Sequence, residues 1–287
     1  MDDNKFMAQF ENKFRKTIED YGLATKKEKI IVACSGGKDS TTTLYILKKL
    51  GYNVEAFIID LLIGNWSEKN LANIKKFCKD NKIKLHVTNM RDEFGSSMCY
   101  IRSGVQSKVR LHNCAICGVI KRWIMNKKSR ELKAKKLATG HNLDDQVETI
   151  LMNLFKNNLR LLVGEGPMPG RISDKKFVQR IKPLYFFTND EIRRYSMLHN
   201  FPVLYEPCPC AVNAFRRDFR KELELFEKKY PKIKMNIANY FIKKICPKLA
   251  KVYKPEGELK YCISCGEPAR NDFCRTCQYI SILKGKV

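Results

Sequence analysis

The 287-residue sequence predicts an α/β fold, a doubly wound parallel sheet whose two faces are covered by helices. Two observations support this prediction. From Lys29 onward, short apolar runs alternate with amphipathic segments of helical period, and a small-residue turn joins the first run to the first of these segments. After about Ala211 the alternation ends, and we expect a lysine-rich helical region followed by a compact cysteine-rich tail.

The predicted elements follow in chain order, beginning with an amphipathic helix over residues 4–21. The predicted strands are the segments KIIVAC, VEAFIID, IKLHVT, KLATG and FVQRIKPL. Helices are predicted over residues 39–50, 67–80, from about 114, over 143–158, and from a capping box at 188–191 to about 200. The stretch from about Asp92 to Asn113 is predicted to form a loop because it contains glycine and serine.

The charge of the chain indicates a polyanionic partner. Lys and Arg number 55 against 30 Asp and Glu, a formal charge of +25, and each phosphate that a basic surface neutralises releases a counterion. Residues 211–287 hold eighteen basic and eight acidic residues, and residues 119–136 hold eight and one. The alternative is a lysine-rich solvated surface that reflects a compositional bias. Together with the cysteine pattern described below, the charge favours nucleic acid.

Membrane and export signals are not found in the sequence. No run approaches the roughly 18 to 20 apolar residues that a membrane span requires, and the start, MDDNKFMAQFENKFRK, is acidic and then amphipathic, unlike a signal peptide. Without export, the twelve cysteines indicate reduced thiols and metal sites rather than disulfides. We therefore expect a cytoplasmic protein with no membrane partner.

The segment SGGKDS, residues 35–40, stands where the first predicted strand of the sheet meets a helix. It matches neither GxGxxG nor GxxxxGK[ST]. Its two glycines let the backbone approach an anion, its serines offer hydroxyls, and the helix that follows points N–H groups at the same place. The alternative is a tight turn with a helix cap. We favour a phosphate-binding loop.

A second motif, TGHNLDDQVE, follows the fourth predicted strand and is expected on the same edge of the sheet. Mg²⁺ in proteins prefers one or two carboxylates together with phosphate oxygens and water, which suits Asp144 and Asp145. Alternatively, these aspartates only complement the dipole of a helix N-terminus. His141 fits a satisfied polar residue at that turn.

Both motifs resemble those of the PP-loop ATP pyrophosphatases, whose fold is of the adenine nucleotide alpha hydrolase type. The resemblance implies that ATP is split into AMP and pyrophosphate, with the loop gripping pyrophosphate and the α-phosphorus open to attack. It also implies that Ala33 and Asp60 lie near the adenosine, and that Ser35, Asp39 and Asp145 are catalytic. The implied nucleotide-binding residues are Ala33, Ser35, Gly36, Gly37, Lys38, Asp39, Ser40, Asp60, Gly140, Asp144 and Asp145.

Cys114, Cys117 and Lys121 are spaced i, i+3 and i+7, which places them on one face of the predicted helix. Thiolates at a helix N-terminus beside Lys and Arg are acidified, and suit metal or persulfide chemistry. The other cysteine pair before the tail is Cys208 and Cys210 in EPCPCA. A structural zinc site needs four ligands, whereas a [4Fe–4S] cluster on three thiolates leaves one iron open, with sulfide as the obvious ligand.

SGGKDS, CAICGVIKRW, ATGHNLDD and EPCPCA together resemble the TtcA/TtuA group of tRNA 2-thiolation enzymes, over roughly residues 25–215. The resemblance implies a [4Fe–4S] cluster on Cys114, Cys117 and Cys208, whose fourth iron carries the sulfur. Cys208 is preferred because Cys-Pro-x-Ala matches the family's third-ligand segment, although the additional Cys210 leaves a second choice open. Lys121 would be the family's active-site lysine, which neutralises phosphate or the leaving oxygen.

The tail contains two CxxC pairs with eight residues between them, a pattern typical of a tetrathiolate zinc site. The predicted ligands are Cys262, Cys265, Cys274 and Cys277. Four free thiols are the alternative. A C-terminal finger of this kind resembles the TtuA-like archaeal and eukaryotic branch, although the N-terminal finger that this branch usually carries is not found in MDDNKFMAQF.

We therefore predict an N-terminal helix (1–24), a PP-loop ATP-binding catalytic domain (25–210), a basic helical region (211–256) and a zinc finger (257–287). The resemblance implies a tRNA sulfurtransferase that adenylates the C2 carbonyl of a uridine with MgATP and replaces its oxygen with sulfur. The implied partners are tRNA, a sulfur donor (sulfide or a small thiocarboxylated carrier protein) and a second copy of the chain.

Other functions remain open from the sequence. A cluster-free thiolase would use a persulfide and a disulfide between Cys114 and Cys208. An amide-forming PP-loop ligase would not need CxxC and a third thiol. A zinc-dependent RNA-binding module with a vestigial loop would bind tRNA without turning ATP over.

Overall fold

The computed structural model describes residues 2–170, 172, 174–211, 214–254 and 259–285. Within these residues, a five-stranded sheet is formed by β1 (Ile30–Cys34), β2 (Val54–Asp60), β3 (Leu85–Asn89), β4 (Lys136–Thr139) and β5 (Gln179–Ile181). The strand order is β3-β2-β1-β4-β5, and every neighbouring pair is parallel. The order reverses direction at β1, so the predicted doubly wound sheet is confirmed.

The described residues form thirteen α-helices. They are α1 (Asp3–Asp20), α2 (Lys38–Lys49), α3 (Gly64–Asp80), α4 (Met90–Phe94), α5 (Met98–Gln106), α6 (Asn113–Glu131), α7 (Leu143–Phe155), α8 (Leu159–Leu162), α9 (Asn189–Leu198), α10 (Ala214–Lys229), α11 (Ile233–Tyr240), α12 (Cys246–Val252) and α13 (Arg275–Leu283). Of these, α4, α5 and α8 were not predicted. A π-helical turn over Phe241–Ile245 joins α11 to α12. None of these helices is both long and apolar enough to cross a membrane.

Hydrophobic cores lie on both faces of the sheet. Ile30 and Val32 of β1 face a core shared with α1, α2, α3 and α9, whereas Ile31 faces a second core shared with α5 and α6. Successive residues of a strand point to opposite faces, so a strand buried on both sides is apolar throughout. This is why the strand segments of the sequence show little alternation of apolar and polar residues.

The N-terminal helix packs onto the first of these cores. Phe6, Phe10 and Phe14 recur at intervals of four residues and are buried, which places them on one face of α1. The ring of Phe10 stacks on Tyr195 of α9 with 4.4 Å between ring centroids. The helix predicted over residues 4–21 is confirmed, and it contributes to the main core.

The prediction of a loop over residues 92–113 was wrong, because most of this segment is helical. Met90–Phe94 and Met98–Gln106 form α4 and α5. Ser97 caps α5 by accepting a hydrogen bond from Tyr100 N–H at 3.3 Å, and the apolar residues at i, i+3 and i+7, beginning with Met98, are buried. The serine taken as a loop residue is therefore a helix start signal. Two further elements are shorter than predicted: α7 ends at Phe155, and β5 covers only Gln179–Ile181.

The C-terminal part packs against the sheet domain at two places. Helices α10 and α11 contact α7, where Leu223 and Ala238 form a small core with Val147. In the tail, β6 (Lys260–Tyr261) and β7 (Pro268–Ala269) form an antiparallel pair, and α13 contacts α5 and α6. The domain boundary predicted between residues 256 and 257 lies outside the described residues.

Candidate nucleotide site and cysteine centres

The SGGKDS loop connects β1 to α2, as predicted, and is closed by its own serines. Ser40 Oγ accepts a hydrogen bond from Ser35 N–H at 3.1 Å and donates to the Gly37 carbonyl at 3.2 Å. Gly36 has φ +78°, and a Cβ there would lie 2.5 Å from Asn70 Oδ1 of α3. Only glycine fits this left-handed position. The loop is thus held at the N-terminus of α2, where backbone N–H groups favour an anion.

The GHN segment after β4 lies directly against this loop. A Cβ on Gly140 would come within 2.6 Å of Ser40 N and 2.8 Å of the Asp39 carbonyl carbon. Asn142 Nδ2 donates to Asp39 Oδ1 at 3.0 Å, and Lys38 Nζ lies 2.8 Å from the same oxygen. Lys38 also donates to the Asn189 side chain at the start of α9. The structure therefore brings the two sequence motifs together at the edge where the strands end.

Gly140→Ala should separate the two motifs, because backbone atoms block the added methyl group. We expect a loss of about 1–3 kcal/mol in the free energy of unfolding, typical of overpacking against groups that cannot move, and weaker ATP binding. Urea unfolding and calorimetric titration with ATP measure both. Gly118→Ala is the matched control, since its Cβ would meet only the guanidinium end of Arg122, at 3.2 Å. Equal effects of the two substitutions would contradict the proposed contact.

Asp144 and Asp145, which the sequence does not distinguish, have different surroundings. Asp144 is buried; its Oδ1 lies 2.5 Å from Lys234 Nζ, and its Oδ2 accepts from Asn189 N–H at 2.7 Å. Asp145 is part of the capping box of α7 with Asn142, and its side chain is 29% exposed against 10% for Asp144. Asp145 is therefore the more accessible carboxylate for Mg²⁺.

Ala33 and Asp60, the residues implied to lie near the adenosine, are at the edge of the sheet where the strands end. Ala33 is paired with Phe57 of β2 on one side and Thr139 of β4 on the other, so it is central in the sheet. Asp60 is the last residue of β2, and its Oδ1 accepts from Leu62 N–H at 2.9 Å. His141 is exposed, with Nδ1 2.9 Å from Thr139 Oγ1, in keeping with a polar residue satisfied at the turn.

Basic side chains of the C-terminal helices reach the acidic start of α7, which the sequence did not predict. Arg220 Nε lies 2.5 Å from Glu148 Oε1, and its Nη2 lies 3.4 Å from Asp145 Oδ1. Burial raises the pKa of Glu148, and the Arg220 guanidinium opposes that effect. Together with Lys234, these contacts join α10 and α11 to the nucleotide site. The only sequence signal for them is the high Lys and Arg content of residues 211–287.

The first cysteine centre lies at the N-terminus of α6. Cys114 is exposed, whereas Cys117, Cys208 and Cys210 are half-buried against the core that also contains α5 and α6. Asn113 Nδ2, at the start of α6, donates to the Cys210 carbonyl at 3.2 Å. The structure therefore brings the EPCPCA segment to the CxxC pair.

The charged side chains and the thiol donors at this centre suit a polynuclear metal group. Burial raises the pKa of the Cys117 thiol, and Lys121 opposes that effect. Cys208 lies close enough to Cys117 and Lys121 for both to influence its ionisation. Three thiolates are one fewer than a structural zinc site needs, whereas a [4Fe–4S] cluster held by three cysteines keeps one iron open. The donor set fits a three-thiolate cluster.

The second cysteine centre is in the tail, and its geometry is that of a single-ion site. The four sulfurs of Cys262, Cys265, Cys274 and Cys277 all lie within 4.8 Å of one another. Burial raises the pKa of the Cys262 thiol, but hydrogen bonds from backbone N–H groups outweigh that effect and bring this pKa down to about 6. Glu267, between the two pairs, forms an ion pair with Arg130 of α6, so the tail is fastened to the helix that carries the first centre.

A parallel sheet with an anion loop at the strand where its order reverses defines an α/β nucleotide-binding protein. The profile of the PP-loop domain family matches residues 6–224. The chain is 37% identical to tRNA-5-methyluridine(54) 2-sulfurtransferase of Pyrococcus horikoshii over 282 residues, covering 97% of this chain and 87% of the relative. It is 29% identical to cytoplasmic tRNA 2-thiolation protein 1 of Caenorhabditis elegans, over a match that covers 96% of this chain and 73% of the relative.

A solved structure agrees with these sequence relatives. The U34-tRNA thiolase NcsA of Methanococcus maripaludis, determined with its [4Fe-4S] cluster, superimposes with a TM-score of 0.78 at 27% identity, covering 96% of this chain and 88% of that one. The chain belongs to the PP-loop family and, within it, to the same group as these tRNA 2-thiolation proteins. The resemblance to the TtcA/TtuA group is confirmed.

Proposed function

We propose that this protein is an ATP-dependent tRNA 2-thiolase, which replaces the C2 oxygen of a uridine with sulfur. The observation that carries the proposal is that the phosphate loop and the thiols adjoin one core. Cys117 of α6 and Cys208 pack against the same hydrophobic core as Ala33, which lies two residues before Ser35 of the SGGKDS loop, and the GHN segment before α7 lies against that loop. Nucleotide activation and sulfur transfer need such proximity.

The activation step is adenylation of the substrate. The uridine O2 attacks the α-phosphorus of ATP, the bond to the bridging oxygen breaks, and pyrophosphate leaves in the grip of residues 35–40. Asp39 and Ser35 shape that loop, and Asp145, the accessible carboxylate, would hold Mg²⁺ against the phosphates. The C2 oxygen then departs as part of AMP when sulfur adds to C2. Asp144 supports the site through its buried contacts.

The sulfur step would take place at the first cysteine centre. Cys114, Cys117 and Cys208 would hold a [4Fe–4S] cluster, which supplies an iron with an open coordination position for sulfur. Lys121 is half-buried on the same helix face as the CxxC pair and forms no ion pair within the described residues. Its ammonium group is thus free to neutralise the phosphate of the adenylated base or the oxygen that leaves.

The tRNA partner is supported by the distribution of charge. The lysine-rich helices α10 to α12 and the tail contribute most of the eighteen basic residues beyond residue 210. Tyr240 is exposed beside Lys243 and Lys244 at the π-helical turn, an arrangement that suits stacking and phosphate contact with RNA. A homodimer, a cytoplasmic location and a donor of sulfide or thiocarboxylate belong to the same proposal.

Nucleoside mass spectrometry of tRNA tests the function directly. Deletion of the gene should abolish one 2-thiouridine species, and the anaerobically purified protein with ATP and a sulfide source should restore it and release AMP. The related proteins act on positions 54 and 34 by their names, so the position at which sulfur is lost also identifies the substrate. Unchanged thiolation in the deletion strain would contradict the proposal.

We also propose that the tail binds structural zinc. Cys277→Ser should lower the zinc content from about one per chain to near zero and lower the melting temperature, because a structural zinc site supplies folding free energy. Cys246→Ser, in a half-buried cysteine outside both centres, should change neither. Elemental analysis and thermal melts measure both quantities. Full zinc content in Cys277→Ser would rule the site out.

A further inference from the structure

Two cysteines that are not among the proposed ligands of either metal centre, Cys99 and Cys210, share one hydrogen-bond donor. Arg102 Nη2 of α5 lies 3.1 Å from Cys99 Sγ and 3.1 Å from Cys210 Sγ. Cys99 precedes Arg102 by three residues on the same helix, whereas Cys210 arrives from 108 residues away in sequence. The guanidinium therefore sets two otherwise unrelated thiols side by side.

The charge of Arg102 is buried and lacks a carboxylate. Arg102 is only 8% exposed, its Nε is buried without a hydrogen-bond partner, and within the described part of the chain it forms no ion pair. A buried cation is expensive unless an anion accompanies it. The groups that face it are sulfur atoms, those of Cys99 and Cys210. An anion formed on one of these sulfurs would neutralise the buried Arg102 guanidinium.

The pair lies beside the proposed cluster site. Cys210 is two residues from Cys208, and its carbonyl is held by Asn113 at the first turn of α6. Its sulfur is close enough to that of Cys117 to influence the ionisation of that thiol. Sulfur carried on Cys210 would therefore be adjacent to the three-cysteine centre.

We propose that Cys210 carries a sulfane sulfur as a persulfide, which Arg102 holds as an anion and Cys99 releases as hydrosulfide at the neighbouring centre. This inference rests on the proposed function, for which it supplies a route of sulfur entry. The donor to Cys210 is a persulfide or polysulfide, and the hydrosulfide later released from Cys210 is the sulfide that the proposed function requires. Its S–S bond breaks, a new S–S bond forms on Cys210 Sγ, and the donor leaves as a thiol, so no oxidant is needed.

The step that releases the sulfur also balances in atoms and electrons. The Cys99 thiolate attacks Cys210 Sγ, the persulfide bond breaks, and hydrosulfide leaves with the electron pair. A disulfide then joins Cys99 to Cys210. A dithiol reductant restores both thiols by giving up two electrons and two protons and becoming a disulfide itself. Arg102, hydrogen-bonded to both sulfurs, positions the attack.

Loading is tested on the full-length, anaerobically purified protein without ATP or tRNA, so that its failure is separate from failure of thiolation. The protein is treated with inorganic polysulfide, alkylated and mapped by mass spectrometry. We expect the persulfide on Cys210. Arg102→Met should lower the loading about tenfold, the effect of losing a hydrogen bond to a charged group, while Arg102→Lys keeps part of it. Cys246→Ser is the matched control and should load fully.

Release is tested by the same maps over time. The unaltered protein should free hydrosulfide and gain the Cys99–Cys210 disulfide, whereas Cys99→Ala should keep the persulfide. Persulfide mainly on exposed Cys114, or equal loading in Arg102→Met, would overturn the proposal, as would hydrosulfide release from Cys99→Ala at the full rate. If Arg102→Met does not fold, the comparison of Cys210→Ser with Cys246→Ser still decides where sulfur is bound.

Discussion

Lys234→Met should destabilise the protein by about 3–5 kcal/mol, the range for a buried ion pair that loses one partner. The side chains of Lys234 and Asp144 are 8% and 10% exposed, and their charged atoms lie 2.5 Å apart. Without the ammonium group, the hydrogen bond left to the Asp144 carboxylate among the described residues is the one from Asn189 N–H at 2.7 Å. An uncompensated buried charge would then remain at the start of α7. Urea denaturation measures the free energy of unfolding.

A double substitution separates the lost charge pair from lost packing. Asp144→Asn together with Lys234→Met removes both charges, and should recover most of the stability lost by Lys234→Met alone. Lys76→Met is the matched control. Lys76 pairs with Asp80 at 2.9 Å, but its side chain is 68% exposed, so the loss should stay below about 1 kcal/mol. If the double variant is no more stable than the single one, the buried pair does not explain the effect.

The same pair ties the basic helices to the nucleotide site. Asp144 lies two residues after the GHN segment, and Lys234 belongs to α11, in the region proposed to bind tRNA. Loss of their contact should therefore weaken both ATP and tRNA binding, even though neither residue is expected to touch the reacting atoms. Calorimetric titrations of the stable double variant, in which folding is preserved, measure that loss.

The sheet could be predicted from the sequence because each of its signals is local. β1 is short and apolar, with Lys29 before it and Ser35 after it, and SGGKDS marks the turn between β1 and α2. Where local signals conflict, the prediction was wrong. Around α5, Gly95, Ser96 and Ser97 favour a loop, but Ser97 caps a helix whose apolar face is buried under α6 and α13. The conformation of this segment is therefore set by burial of its apolar face against other helices.

The site could be predicted only as far as its motifs extend. The motifs predict which residues bind anions and metals, but they carry no signal for the partners that neutralise those residues. Lys234 and Asp144 are 90 residues apart, and Arg102 and Cys210 are 108 apart. Such contacts depend on how helices pack, which neither period nor spacing records. For the same reason the sequence treats Asp144 and Asp145 alike, whereas burial separates them in the structure.

Cys208→Ala should lose the bound iron, whereas Cys210→Ala should keep it. The Cys210 sulfur already accepts a hydrogen bond from Arg102 at 3.1 Å, and it faces α5. The Cys208 sulfur is half-buried against the same core as Cys117, with Lys121 near enough to influence its ionisation. Of the two thiols, Cys208 is the one whose sulfur makes no hydrogen bond to the Arg102 guanidinium, and we expect it to bind metal beside the CxxC pair.

Iron and sulfide analysis after anaerobic purification measures the difference. We expect about four irons per chain in the unaltered protein and in Cys210→Ala, and background iron with no 2-thiouridine formation in Cys208→Ala. The content of zinc, which we propose the tail binds, should be the same in all three proteins and serves as the folding control. Iron lost from Cys210→Ala but kept in Cys208→Ala would exchange the two assignments. Thiolation without iron in any of them would favour the persulfide route, because three thiols without a cluster can still carry sulfur through disulfide exchange.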